Sequence, residues 1–140
     1  MIGHIIFLFG FSHMIDFKGR KPVILYALVL HGATLLAIAF CPSFTLIALY
    51  VAFGLNGISS GILNLQGWIY LIEFMPKEYQ AGTIIISNSG KGLALILGSM
   101  FFLEVSNQMF WFFVINSAII GVIFLIASRE LPESPKYYYM

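Results

Sequence analysis

FTLIALYVAFGLNGISSGILNLQGWIYLI, residues Phe44 to Ile72, runs for 29 positions without a charged side chain. A helix rises about 1.5 Å per residue and the hydrocarbon layer of a bilayer is about 30 Å thick, so about 20 apolar residues are enough to cross it. This run exceeds that length, and as a helix it either tilts or protrudes past the headgroups before Glu73 and Pro76 end it. The composition around it agrees: 60% of the 140 residues are hydrophobic and 9% are charged, with a mean hydropathy of +0.95. Soluble domains carry about 25% charged residues, so a water-facing surface cannot be built from this chain.

Working outward, the same criterion finds four more segments. Pro22 to Phe40 opens on a proline where a missing N–H is tolerated and closes at Cys41, Pro42 and Ser43. Gly82 to Leu103 is interrupted only by Lys91, and Met109 to Ser128 stops at Arg129. Met1 to Ile15, ended by Asp16, makes only about 22 Å of helix and is short for a full crossing. The tail, 129–140, holds Pro132 and Pro135 and reads as extended. The expectation is therefore one all-α domain over residues 1–140, a polytopic transmembrane helix bundle of about five spans, integral to a membrane and surrounded by lipid.

Short loops rich in Lys and Arg stay on the cytoplasmic side. Lys18, Arg20 and Lys21 follow the first segment, Lys77 follows the third, and Arg129 and Lys136 follow the fifth. The two intervening loops, Cys41 to Ser43 and Glu104 to Gln108, hold no cation. The tail is thus expected in the cytoplasm and the start of the chain outside. No cationic leader precedes the first apolar run, which argues against a removable signal peptide and predicts a further segment upstream.

Several functions are disfavoured at this stage. A formal net charge of +1 offers no basic face for nucleic acid. Cys41 is the only cysteine, so neither an internal disulfide nor a cysteine metal cluster can form. His4, His13 and His31 lack metal-ligand spacing, and no catalytic carboxylate pair, nucleophile with a base, or phosphate loop is present. No cofactor, metal or enzymatic activity is expected.

Three motifs carry a resemblance. Asp16, Phe17, Lys18, Gly19, Arg20 and Lys21 are similar to the D-R-x-G-R-K loop between the second and third helices of major facilitator transporters. Tyr70, Glu73 and Pro76 look like the Y-x-x-E-x-x-P that closes the fourth helix in the sugar porter and organic ion transporter branch. Pro132, Glu133, Ser134, Pro135 and Lys136 resemble the P-E-S-P-R after the sixth helix of that branch. One short motif would be weak, but three in the right order with the right number of spans between them are specific. The resemblance covers the whole chain and equates its segments with helices two to six of a twelve-helix carrier, a partial amino-terminal half.

That resemblance implies solute transport by alternating access between two helix bundles, of the sugar or organic ion class. It assigns Asp16, Gly19, Arg20, Lys21, Glu73, Glu133 and Lys136 to a latch at the cytoplasmic face. The sequence departs from the family at Ser12 (glycine), Phe17 (arginine), Gln80 (arginine) and Lys136 (arginine), and each lost arginine removes a bidentate grip on carboxylates. The Q-L pair and arginine usual in sugar porters do not occur here, so sugar is not favoured over organic ions. For the loop residues a second reading stands, in which the cations set topology and Gly19 supplies a turn. Glu73 pairs with Arg20, pairs with Lys136, or is solvated.

Lys91 is the one charge inside a span, roughly 14 and 18 Å from its two ends at helical rise. Placing it there costs about 2.5–3.5 kcal/mol on insertion scales, so it should face a cavity, a partner helix or a carboxylate. Asn88 and Ser87 lie within one turn of it, and Asn56, Ser60 and Asn64 recur at spacing four on the preceding span. Two readings stand: a wet solute cleft between these helices, or interhelical packing in which Gly57 and Gly61 form a G-x-x-x-G. A different functional class also stands, a degenerate transporter remnant serving as a structural subunit among membrane protein partners.

Overall fold

The computed structural model describes residues 19–40, 46–105 and 109–132. Within them lie α1 (Arg20–Ala39), α2 (Leu46–Phe74), α3 (Lys77–Met100) and α4 (Met109–Glu130). A wider π-turn, Phe101–Val105, extends α3. The described residues are all-helical apart from turns. Four helices of 20, 29, 27 and 22 residues are long and apolar enough to cross a membrane, the third being counted from Lys77 to Leu103. The segment Met1 to Ile15 and the residues Asp16, Glu133 and Lys136 lie outside the described residues.

The helix starts differ from the sequence reading for local reasons. α1 begins at Arg20, so Pro22 falls in the first turn, where the backbone N–H groups have no intrahelical acceptor. α3 begins at Lys77, five residues before the uncharged run, because Pro76 (φ −53°, ψ 147°) occupies its cap and frees the next residues to wind. Gln80, one turn in, turns back to α2: its Nε2 donates to the carbonyls of Ile72 at 3.1 Å and Met75 at 3.2 Å. An amide thus occupies carbonyls that the end of α2 leaves open.

Gly19 caps α1 with φ 82° and ψ 161°, a region that essentially only glycine occupies, at a cost of about 1–3 kcal/mol for other residues. Gly19→Ala should lower the stability of the detergent-solubilised chain by about that amount in equilibrium unfolding followed by circular dichroism. A change within error would show that the loop relaxes freely.

α1 is the packing hub, in contact with both α2 and α4. Its partners run antiparallel to it. Arg20, at the start of α1, meets Glu73 at the end of α2, while His31 meets Ser59 further along both helices. Likewise Ile24 and Leu28 cluster with Ala127, and the Ser117 hydroxyl donates to the carbonyl of Gly32 at 3.0 Å. The helices are close here: a Cβ at Gly32 would be in ordinary van der Waals contact with Ile120 at 3.5 Å. At one end of the bundle Tyr70 donates its hydroxyl proton to the Pro132 carbonyl at 2.7 Å. At the other, Phe40 meets Phe110 edge-on at 5.5 Å, and Phe102 meets Phe112 in a tilted pair with centroids 4.9 Å apart.

The outside of the bundle is apolar, as lipid requires. Leu103 is 83% exposed, and Leu46, Ile47, Ile86, Leu95 and Leu125 are also largely exposed. In water such a surface would be an aggregation liability; against acyl chains it carries no penalty. Among the described residues every Lys and Arg except Lys91 lies near the end where α1 and α3 start and α2 and α4 finish.

Candidate functional site

Two groups of the residues singled out in the sequence are brought together, one at the charged end and one at mid-span. At the charged end, Arg20 Nη2 lies 2.7 Å from Glu73 Oε1, with the side chains 19% and 5% exposed. Each charge stands at the helix end that disfavours it, a cation at the amino terminus of α1 and an anion at the carboxyl terminus of α2. Their pairing offsets both. Lys21, Arg20's neighbour, is only partly covered; Gly19, Arg20, Lys21 and Glu73 are the described residues among those the resemblance assigns to a latch.

The mid-span group is built on Asn64. Its Oδ1 accepts from Trp68 Nε1 at 2.9 Å, one turn along α2, and from Lys91 Nζ of α3, also at 2.9 Å. The same ammonium lies 5.0 Å from the centroid of the Trp68 ring, over which a cation is attracted by the ring's electron density. Both lone pairs of the amide oxygen are then used, whereas an ammonium has three protons. One points at Asn64, one side of the group rests on the indole, and the side chain as a whole remains exposed. The span Lys77–Leu103 has its centre at Gly90, so the ammonium is rooted one residue from the middle.

Asn88, one turn before Lys91, is exposed, and its side chain joins no hydrogen bond among the described residues. The stripe Asn56, Ser60 and Asn64 also divides: eight residues at 100° each leave Asn56 and Asn64 about 80° apart, toward different neighbours. Asn64 serves α3, whereas the Asn56 carbonyl accepts from Ser59 Oγ at 2.9 Å on the α1 side. Ser59 Oγ lies 3.0 Å from His31 Nδ1. With the hydroxyl proton donated to the Asn56 carbonyl, the pair suits the His31 tautomer that carries its proton on Nδ1.

Sequence reasoning missed Trp68, although its spacing of four from Asn64 places it on the same helical face. It also missed the His31–Ser59 contact and the cap by Gln80, which need to know which helices are neighbours. Gln66 was missed too: it is 2% exposed, its Oε1 has no partner among the described residues, and it shares the face of α2 that carries Ser59 and Glu73. Among the described residues no three His, Cys, Asp or Glu side chains converge as metal ligands.

The family model for sugar (and other) transporters matches residues 1–140, the whole chain. The chain belongs to that family. A "Solute carrier family 22 member 15-like" protein of Xenopus tropicalis is 29% identical over 139 residues, 99% of this chain and 27% of the relative. Its namesake in Xenopus laevis is 29% identical over 129 residues, 92% of this chain and 26% of the relative. The "Uncharacterized MFS-type transporter YhjO" of Bacillus subtilis is 26% identical over 121 residues, covering 85% of this chain and 29% of that protein. The chain thus spans between a quarter and a third of the length of these relatives. Family, composition and helix lengths together make it an integral, multi-pass membrane protein of a transporter family, not of an enzyme family.

Proposed function

We propose that this chain forms part of a major-facilitator-type carrier that moves a small solute, of the sugar or organic ion class, across its membrane. The observation that carries the reading is the polar cluster in which Lys91, at the middle of one membrane-length helix, meets Asn64 and Trp68 of another. Carriers of this architecture bind their solute near the midplane, between helices that rock about it. No residue of α3 is buried, which leaves the Lys91 side open to a solute path. The Arg20–Glu73 pair is the part of the cytoplasmic latch that holds one state of the cycle.

A second reading, the transporter remnant acting as a structural subunit, draws support from Phe17 and Gln80 standing where the family has arginines, and from Gln80 serving as a helix cap instead of a charge. Uptake separates the two. Cells expressing the gene product that carries this sequence should accumulate or deplete a solute from a mixture of sugars and organic ions. Lys91→Gln should reduce that flux by about tenfold or more without reducing the amount of protein in the membrane. Flux that is absent, or indifferent to Lys91→Gln, would favour the structural reading or move the solute path elsewhere.

A further inference from the structure

An open groove of about 400 Å³ runs between α1 and α4. Leu28, Gly32 and Leu36 line it from α1, and Ser117, Ala118 and Gly121 from α4. The side chains of the bundle do not fill it: Leu36 is 40% exposed, and a Cβ on Gly121 would meet nothing within 4 Å. The charge at its end decides what does. The bond from Ser117 to the Gly32 carbonyl fixes the antiparallel register of the two helices. Eleven residues from that bond toward the charged end, Lys21 on α1 and Ser128 on α4 stand at one level, with Arg129 next to Ser128. The packing of Ile24 and Leu28 against Ala127 agrees with this register.

Eleven residues are about three helical turns, with a net rotation of only about 20°. Lys21 therefore lies on the face of α1 that carries Gly32, and Arg129 on the face of α4 that carries Ala118. Both flank the mouth of the groove, about 16 Å from Gly32 along the helices, which is close to half of a ~30 Å hydrocarbon layer. Cations at headgroup depth thus cap an apolar slot that reaches to the midplane. The neighbouring charges belong elsewhere. Arg20 is turned to Glu73 of α2, and Glu130, by the same eleven-residue spacing, shares the face of Ile119, outside the groove.

We infer that the groove is a binding site for an anionic phospholipid, its phosphate held between Lys21 and Arg129 and one acyl chain laid along Leu28, Gly32 and Leu36. Arginine grips phosphate oxygens as a fork and lysine as a point charge. A zwitterionic headgroup brings the same phosphate but adds a cation that this pair repels, so the site selects net negative charge. The small side chains of Gly32, Ala118 and Gly121 let the acyl chain sink between the helices. The site stands apart from Lys91 and does not depend on solute transport.

Native mass spectrometry tests this on the gene product that carries this sequence, in mild detergent with equal amounts of dioleoylphosphatidylglycerol and dioleoylphosphatidylcholine. One phosphatidylglycerol should be retained tightly, about 10- to 30-fold ahead of phosphatidylcholine, as two cations near a headgroup imply. Replacing both cations, Lys21→Gln with Arg129→Gln, should bring that ratio close to one. Where the double variant is not recovered with parental helicity, each single variant should lose about three- to fivefold. Lys77→Gln, at the same end of the bundle on α3, should leave the ratio unchanged. Gly121→Phe fills the groove and keeps both cations, so it should cut phosphatidylglycerol retention severalfold. An equal ratio in the parent, a preference that survives removal of the cations, or an equal loss in Lys77→Gln would each overturn the inference. Retention indifferent to Gly121→Phe would overturn it too, because the acyl chain would then have no seat. Displacement of the lipid by excess glycerol 3-phosphate would assign the cations to a soluble phosphate and sink the lipid site.

Discussion

Glu73→Leu is expected to cost about 3–5 kcal/mol of stability, because it strands Arg20. The guanidinium is mostly covered, 2.7 Å from the carboxylate it would lose, and it sits at a helix amino terminus, where the backbone already presents positive charge. Arg20→Leu should also cost stability, since it removes the guanidinium from a carboxylate that is 5% exposed. The double variant should recover part of the loss, since two apolar side chains leave no buried charge unpaired. Unfolding with a denaturing detergent, followed by circular dichroism, measures all three. Single variants within about 0.5 kcal/mol of the parent, as for an exposed pair, would show that the pair is solvated.

The second large effect is expected at Ser59→Leu. Ser59 is 0% exposed, so extra methylenes have nowhere to go, and overpacking of this kind costs about 1–3 kcal/mol. The substitution also removes the partner of His31 Nδ1, and loss of a hydrogen bond to this half-buried ring adds about 0.5–1.5 kcal/mol. Ser59→Ala carries only the second cost. Ser89→Leu is the control: its hydroxyl bonds only to the Ile85 carbonyl of its own helix and its position is exposed, so leucine there should be tolerated in lipid. The order Ser59→Leu below Ser59→Ala below Ser89→Leu in melting temperature is the expected result. Equal melting of all three would mean that α1 and α2 do not pack through Ser59.

These sites illustrate what the sequence discloses. Uncharged length alone fixes the helices, because lipid tolerates no unsatisfied backbone and helices satisfy their own. The four membrane-length helices and the all-α class were legible for that reason, as was the family, through three short charged motifs. Helix starts were less legible, because Lys77 and Glu78 are hydrophilic yet wind readily after Pro76. Lys91 stood out as the charge in a span, and its need for a polar neighbour followed from the cost of burying it. Which neighbour it has did not follow. Asn56 and Asn64 look equivalent at spacing four, and only the placing of α1 and α3 on different sides of α2 sends one toward His31 and the other toward Lys91. Pairwise contacts such as Tyr70 with Pro132, 62 residues apart, depend on assembly of the whole bundle.

The central claim is that α3 crosses the bilayer with Lys91 near its middle. Spin labels placed singly at Tyr79, Ile86, Leu93 and Met100, exposed positions seven residues apart on one helical face, read depth from their relaxation by dissolved oxygen and by a water-soluble nickel chelate. The account predicts the greatest depth at Ile86 and Leu93, on either side of Gly90, falling off toward Tyr79 and Met100. Depth that is uniformly shallow, or that rises steadily from one end of α3 to the other, would contradict it.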